Sequence, residues 1–216
     1  MKIMKFLHSC ILIEENGKRL LIDPGNLCFV EKRLKPEDIG GVDAILITHK
    51  HADHYFPEAL KKLNSIKPIK VYTNSEIGEL LKKEDLQYEA LKGGDKKDIA
   101  GFDVEVFDPK HGQIPYPPPM NLAFLINKRF LHAGDSFEEK PFGNVDILCL
   151  PVFVPWARLV DMLEFAKKVK PKKVIPTHDA PLKDFQLEAT YRIFKEKLAE
   201  LGIEFVPIGL NQKVDL

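Results

Sequence analysis

The chain has 216 residues, with 32 Lys plus Arg against 32 Asp plus Glu, so its formal net charge is zero; 44% of its residues are hydrophobic. A chain of this length buries about 70% of the surface its unfolded form exposes, so it needs no disulfide or metal merely to fold. The lack of a basic excess argues against nucleic acid as a partner. Cys10, Cys28 and Cys149 fit no zinc or redox spacing, and so odd and sparse a set points to buried apolar roles in a reducing cytoplasm. No apolar run approaches the ~18 residues of a membrane span. His8 and Ser9 interrupt the N-terminal apolar stretch before it could serve as a signal segment.

In chain order, strands are expected at Lys2–Leu7, Cys10–Glu14 and Arg19–Asp23, with Asn16–Gly17 as a hairpin turn. Asp23-Pro24-Gly25 ends this run. The short apolar run Asp43–Thr48 has the character of a strand buried on both faces. Pro57–Leu63 predicts a helix with Pro at its first position. Lys70–Thr73 predicts a strand, and Ser75 a cap for a helix running to Lys83. The second half repeats the style, with strands at Asp103–Phe107, Asn121–Ile126, Arg129–Ala133, Asp146–Leu150 and Lys173–Pro176. Helical periodicity covers Trp156–Val169 and Asp184–Leu201, and a last strand is expected at Ile203–Pro207. The prolines of Ile114–Met120 exclude regular structure there. Meandering strands followed by strands mixed with helices, twice over, suit two packed sheets with helices outside them.

The chemistry concentrates in Thr48-His49-Lys50-His51-Ala52-Asp53-His54, where three histidines and an aspartate fall within six residues just past a strand. In extended backbone, residues i and i+2 point the same way, so His49 and His51 can grip one ion together. Asp53 and His54 lie further round the turn, within reach of a second. Imidazole and carboxylate suit Zn, Mn or Fe better than a thiolate-seeking metal. Further ligands are available at His111, at Asp135 inside His132-Ala-Gly-Asp-Ser136, and at His178 inside Pro176-Thr-His-Asp179. Each lies beyond the C-terminal end of an expected strand, where loops gather into a site.

The motif ILITHKHADHY, followed in order by HG, GDS and PTH, resembles the metallo-β-lactamase superfamily along essentially the whole chain. Leu7-His8-Ser9 and Leu20-Leu-Ile-Asp-Pro24 are similar to the ascorbate-6-phosphate lactonase-like and N-acylphosphatidylethanolamine phospholipase-like branch, with Leu7 where a glycine is expected. The resemblance implies an α+β fold, a four-layer αββα sandwich of two mixed sheets flanked by helices, formed by residues 1–216 as one domain. It implies two divalent metal ions, zinc first and Mn or Fe as alternatives. His49, His51 and His111 would hold one ion, Asp53, His54 and His178 the other, and Asp135 would bridge them. Ser136 would be a hydrogen-bonding support beside Asp135. His132 is expected to pack near the site, and no spacing places His8.

The function so implied is hydrolysis. Two dications outweigh Asp53, Asp135 and one hydroxide, so the site would stay cationic and favour a small, anionic ester, lactone or phosphodiester. Hydroxide activated by the two metals would attack carbonyl carbon or phosphorus, with Asp53 as the catalytic carboxylate. Tyr116 and Trp156 are candidate substrate walls. An RNA-processing nuclease of the same fold is one alternative, and a non-hydrolytic iron or redox use of the scaffold is another. The cluster Lys167, Lys168, Lys170, Lys172 and Lys173 is expected to be a solvated helix end.

Overall fold

A computed structural model describes residues 1–29, 34–210 and 212–216. In chain order the elements are β1 (Lys2–Lys5), β2 (Ile11–Glu15), β3 (Lys18–Ile22), α1 (Pro36–Ile39), β4 (Ala44–Leu46), α2 (Pro57–Ile66), β5 (Val71–Thr73), α3 (Ser75–Lys83) and β6 (Tyr88–Ala90). There follow β7 (Lys96–Ile99), β8 (Phe102–Phe107), β9 (Ala123–Ile126), β10 (Phe130–His132), β11 (Ile147–Pro151), α4 (Leu159–Val169), β12 (Lys173–Thr177), α5 (Asp184–Glu200), β13 (Glu204–Phe205) and β14 (Lys213–Asp215). Two seven-stranded sheets result, ordered β14-β1-β2-β3-β4-β5-β6 and β13-β12-β11-β10-β9-β8-β7.

The sheets share a plan. Each has three antiparallel pairings followed by three parallel ones, joining β14 through β6 and β7 through β13. Strand alternation sorts side chains into three apolar layers. Ile11, Ile13, Leu20 and Ile22 meet Phe102, Val104, Phe124 and Phe130 between the sheets. Leu12, Leu21 and Ile45 face the other way, onto Leu60 and Leu63 of α2 and Ile77 and Leu81 of α3. Leu131, Leu148 and Val174 pack against Phe165 of α4 and Phe194 of α5. The order helix, sheet, sheet, helix is the expected four-layer sandwich, with its sheets mixed. Among the described residues, no helix is long and apolar enough to cross a membrane.

The expected strands and longer helices occur with ends shifted in either direction, α2 running on to Ile66 and β12 to Thr177, and Asn16 and Gly17 turn the β2–β3 hairpin at φ of 51° and 74°. Several details differ from expectation. The cap of α3 is Asn74, whose Oδ1 accepts from the Ile77 amide at 3.0 Å; Ser75 is already helical. Asn121 lies ahead of β9, and α4 begins at Leu159. The segment at 203–207 yields only the two-residue β13, and β14 then returns to pair with β1. Polar β6, β7 and β14 are edge strands with exposed residues, so the apolar runs that betray buried strands are missing from them. Lys168 and Lys172 at the basic helix end pair with Glu139 and Asp146, in keeping with a solvated surface.

The loop after β4 and the segment before β9 are tied through Asn74. Its Nδ2 donates to Thr48 O at 3.1 Å and to Met120 O at 3.0 Å, linking the loops of both halves. Asn74→Ala should therefore cost about 2 kcal/mol in urea unfolding, more than a helix cap alone. Asn74→Asp keeps the cap acceptor but turns an oxygen toward those carbonyls. It should be no more stable than Asn74→Ala, and parental stability would limit the role of Asn74 to the cap.

Candidate metal centre

β1, β3, β4, β8, β10 and β12 all end at one edge of the sandwich, because β1 runs parallel to β3 through β2, and β8 parallel to β10 through β9. Their exit loops bring every expected ligand together. His49, His51, His111 and Asp135 each offer one donor atom, all within 4.8 Å of one another. His8, Asp53, His54 and His178 form a second such group. His49 Nε2 lies 3.0 Å from His51 Nδ1, as their i, i+2 spacing predicts, and His54 Nε2 lies 3.0 Å from His178 Nε2.

Asp135 stands between the groups and is only 4% exposed. Its Oδ2 is 4.0 Å from His49 Nε2 and 3.7 Å from His111 Nε2. Its Oδ1 is 3.3 Å from His54 Nε2 and 2.7 Å from His178 Nε2. Each oxygen thus faces a different set of imidazoles.

The donors fit metal ions. His111 Nε2 is buried with no hydrogen-bond partner among the described residues, a cost that a bound cation would remove. Imidazole nitrogens 3.0 Å apart, converging with carboxylate oxygens on one point, are arranged as ligands to a shared ion would be. Electrostatics agree. Burial pushes the His54 imidazole down, but the carboxylates of Asp135 and Asp23 more than offset this and favour a cation there. Burial pushes the Asp135 carboxyl up, and the His178 and His54 rings outweigh it, holding the group well below the usual carboxylate range. Asp53 behaves likewise, burial being outweighed by the hydrogen bond from His8 together with the charges of His54 and His178. Burial drives His49 well below the ordinary histidine range, aided by His54, and lowers His8 to about 4.

Residues that sequence reasoning left without a role hold these donors in place. Asp23, read only as a strand breaker, accepts from the Thr48 amide at 2.8 Å, the Thr48 hydroxyl at 2.7 Å and His54 Nδ1 at 2.7 Å. It thereby fixes the proton on His54 Nδ1 and leaves Nε2 free. His111 Nδ1 donates to Gly112 O at 2.7 Å. Asn121 joins two ligand loops, donating to Pro109 O and Ala133 O and accepting from the Asp135 amide. Ser136 gives its hydroxyl to Lys110 O at 2.6 Å, the support expected of it. His132 is buried, with Nε2 3.4 Å from Ser9 O. Gly25 is needed because the Asp53 backbone passes so close that a Cβ would lie 1.9 Å from it.

The two candidate substrate residues differ. Trp156 is half-buried, its ring covering Gly112 and lying 5.9 Å from the His111 ring and 4.7 Å from that of Phe137. Tyr116 is 74% exposed on the proline-rich segment and is not built into the centre.

Paired His/Asp groups at the edge of an αββα sandwich define a metal-dependent hydrolase of metallo-β-lactamase fold. The family described as "Beta-lactamase superfamily domain" matches residues 2–178, and the chain belongs to it. A UPF0173 metal-dependent hydrolase of Nanoarchaeum equitans is 30% identical over 234 aligned positions, spanning 100% of both chains. A UPF0173 metal-dependent hydrolase of Bacillus cereus is 31% identical over 198 positions, covering 82% of this chain and 85% of that protein. Among solved structures, the metallo-beta-lactamase fold protein YhfI of Bacillus subtilis superposes with a TM-score of 0.73 at 17% identity, over 99% of this chain and 98% of the other. A metallo hydrolase of Ignicoccus hospitalis gives 0.72 at 18% identity, over 100% and 98%. These two share the fold.

Asp23→Asn replaces one acceptor oxygen by a donor facing either the Thr48 amide or His54 Nδ1. Affinity at the His54 side should fall by about 10- to 100-fold, read by competition with a chelator. Unchanged affinity would remove Asp23 from the support of the centre.

Proposed function

We propose that the protein uses two divalent ions, zinc first, to hydrolyse a small anionic ester, lactone or phosphodiester. The observation that carries this reading is the division of Asp135, one oxygen toward His49 and His111 and the other toward His54 and His178. One carboxylate so placed suits a bridge between two ions. His49, His51 and His111 would hold one ion, and Asp53, His54 and His178 the other. Bound there, such ions supply an activated water near neutral pH and polarise an oxygen of the substrate.

The chain's own residues do the rest. Asp53 is the motif carboxylate that reaches the open side, with a side chain 28% exposed against 5% for Asp135. It would accept a hydrogen bond from the attacking water and orient it. The buried imidazoles keep competing water out of the ligand positions. Trp156, held against Gly112 and Phe137, would form a rigid apolar wall beside His111, and Tyr116 an open rim. Leu7-His8-Ser9, with its likeness to the lactonase-like and phospholipase-like branch, supports a substrate carrying phosphate or a lactone. One domain working in the reducing cytoplasm accords with the three buried free cysteines.

Metal analysis, followed by assay on phosphodiester, lactone, thioester and β-lactam substrates, tests the reading. It expects about two ions per chain, loss of turnover on chelation and recovery on adding zinc or manganese. Full turnover by metal-free protein would overturn it. Selective cleavage of RNA would favour the nuclease alternative, and iron with oxygen-dependent turnover the redox one. Asp53→Asn keeps the shape but removes the charge from a loop residue. It should leave the metal-free protein folded and lower turnover by roughly 100-fold or more. A folded variant with the parental rate would take Asp53 out of the chemistry.

A further inference from the structure

We propose that His8 is a positioning residue for Asp53, an inference that rests on the reading of Asp53 as ligand and partner of the attacking water. His8 sits at the tip of the β1–β2 turn, which is closed by Phe6 N to Cys10 O at 2.9 Å and Cys10 N to Leu7 O at 3.1 Å. Its φ is +59°, in the left-handed region that side chains with a Cβ seldom adopt. The residue is 2% exposed. Nothing in the turn itself calls for a histidine in this conformation, since glycine or asparagine would adopt it more readily. What the conformation achieves is to set the ring 4.1 Å from that of His178 and its Nε2 2.9 Å from Asp53 Oδ2.

The ring is close enough to Asp53, His54 and His178 to be considered a metal ligand itself. Its far nitrogen argues against that. A ligating imidazole carries its proton on the nitrogen away from the ion and donates it to a partner. His54 Nδ1 has Asp23, and His111 Nδ1 has Gly112 O. His8 Nδ1 is buried with no partner among the described residues. A proton there would leave a buried donor unsatisfied, which is rarer than a buried acceptor without a partner. The proton therefore belongs on Nε2, donated to Asp53 Oδ2. That bond restrains rotation of the carboxylate and aims Oδ2 toward the second donor group, where His54 Nε2 lies 3.8 Å away.

Gln and Asn separate the possibilities. The Gln side-chain amide reaches about as far as Nε2, so His8→Gln restores the donor; Asn is too short to reach Asp53 but tolerates the positive φ. The expected result for His8→Asn is an unfolding midpoint of the metal-free protein equal to or above the parent's. Both zinc ions should still bind at saturation, and kcat should fall by about tenfold or more with little change in KM. His8→Gln should turn over severalfold faster than His8→Asn. Loss of one zinc in both variants would make His8 a ligand and overturn the proposal. A lowered midpoint with parental kcat would make its role purely structural, overturning it equally. Asp53→Asn, assayed beside them, distinguishes the failures. If it is inactive while His8→Asn is parental, only the role of His8 falls; if Asp53→Asn is itself parental, both readings fall.

Discussion

A carboxylate sealed from water among imidazoles is the constraint to which the rest of the molecule answers. Asp135 is 4% exposed, and its two oxygens face different histidines. An unpaired buried charge costs several kcal/mol, so such a group persists only where cations complete it. In the metal-free chain, protonated His54 can do part of this work, helped by Asp23. Metal ions can do it more fully, and the same arrangement that satisfies Asp135 concentrates positive charge where a substrate oxygen would lie.

The exit loops of β4, β8 and β12 must converge on Asp135 in the loop after β10, and the fold explains how they do so. Duplicating one strand plan in two sheets sends β3, β4, β10 and β12 to end at a common edge. The apolar layer between the sheets, with Phe124 and Phe130 facing Ile13 and Leu20, fixes the distance between the halves. Polar cross-links then set the loops finely: Asn74 joins Thr48 to Met120, and Asn121 joins Pro109 to Ala133 and Asp135. Left-handed backbone at His8, Asp23 and His178 gathers at this edge. Local strain concentrated where side chains must be aimed is a common signature of function.

Much of this was legible in the residues. The apolar strands announced themselves, and the spacing His49, His51, Asp53, His54 suggested its own geometry, His49 and His51 lying 3.0 Å apart. His111, Asp135 and His178 were legible from their places after strands. Asp23 was not, because Asp-Pro-Gly is turn chemistry on any chain, and its contact with His54 spans 31 residues. His8 has no metal-motif spacing, and only the sheet order β1-β2-β3-β4 brings its turn to the loop that carries Asp53. Asn74 and Asn121 act through carbonyls of distant loops, which leave no periodic trace. The edge strands β6 and β14 lack the apolar pattern because they pack on one side at most.

Anomalous diffraction from crystals of the zinc-loaded protein tests the central assignment most directly. Two zinc peaks are predicted on either side of the Asp135 carboxylate, one bonded to His49, His51 and His111 and the other to Asp53, His54 and His178. A single peak at full zinc loading, or two peaks with Asp135 bonded to neither, would contradict it.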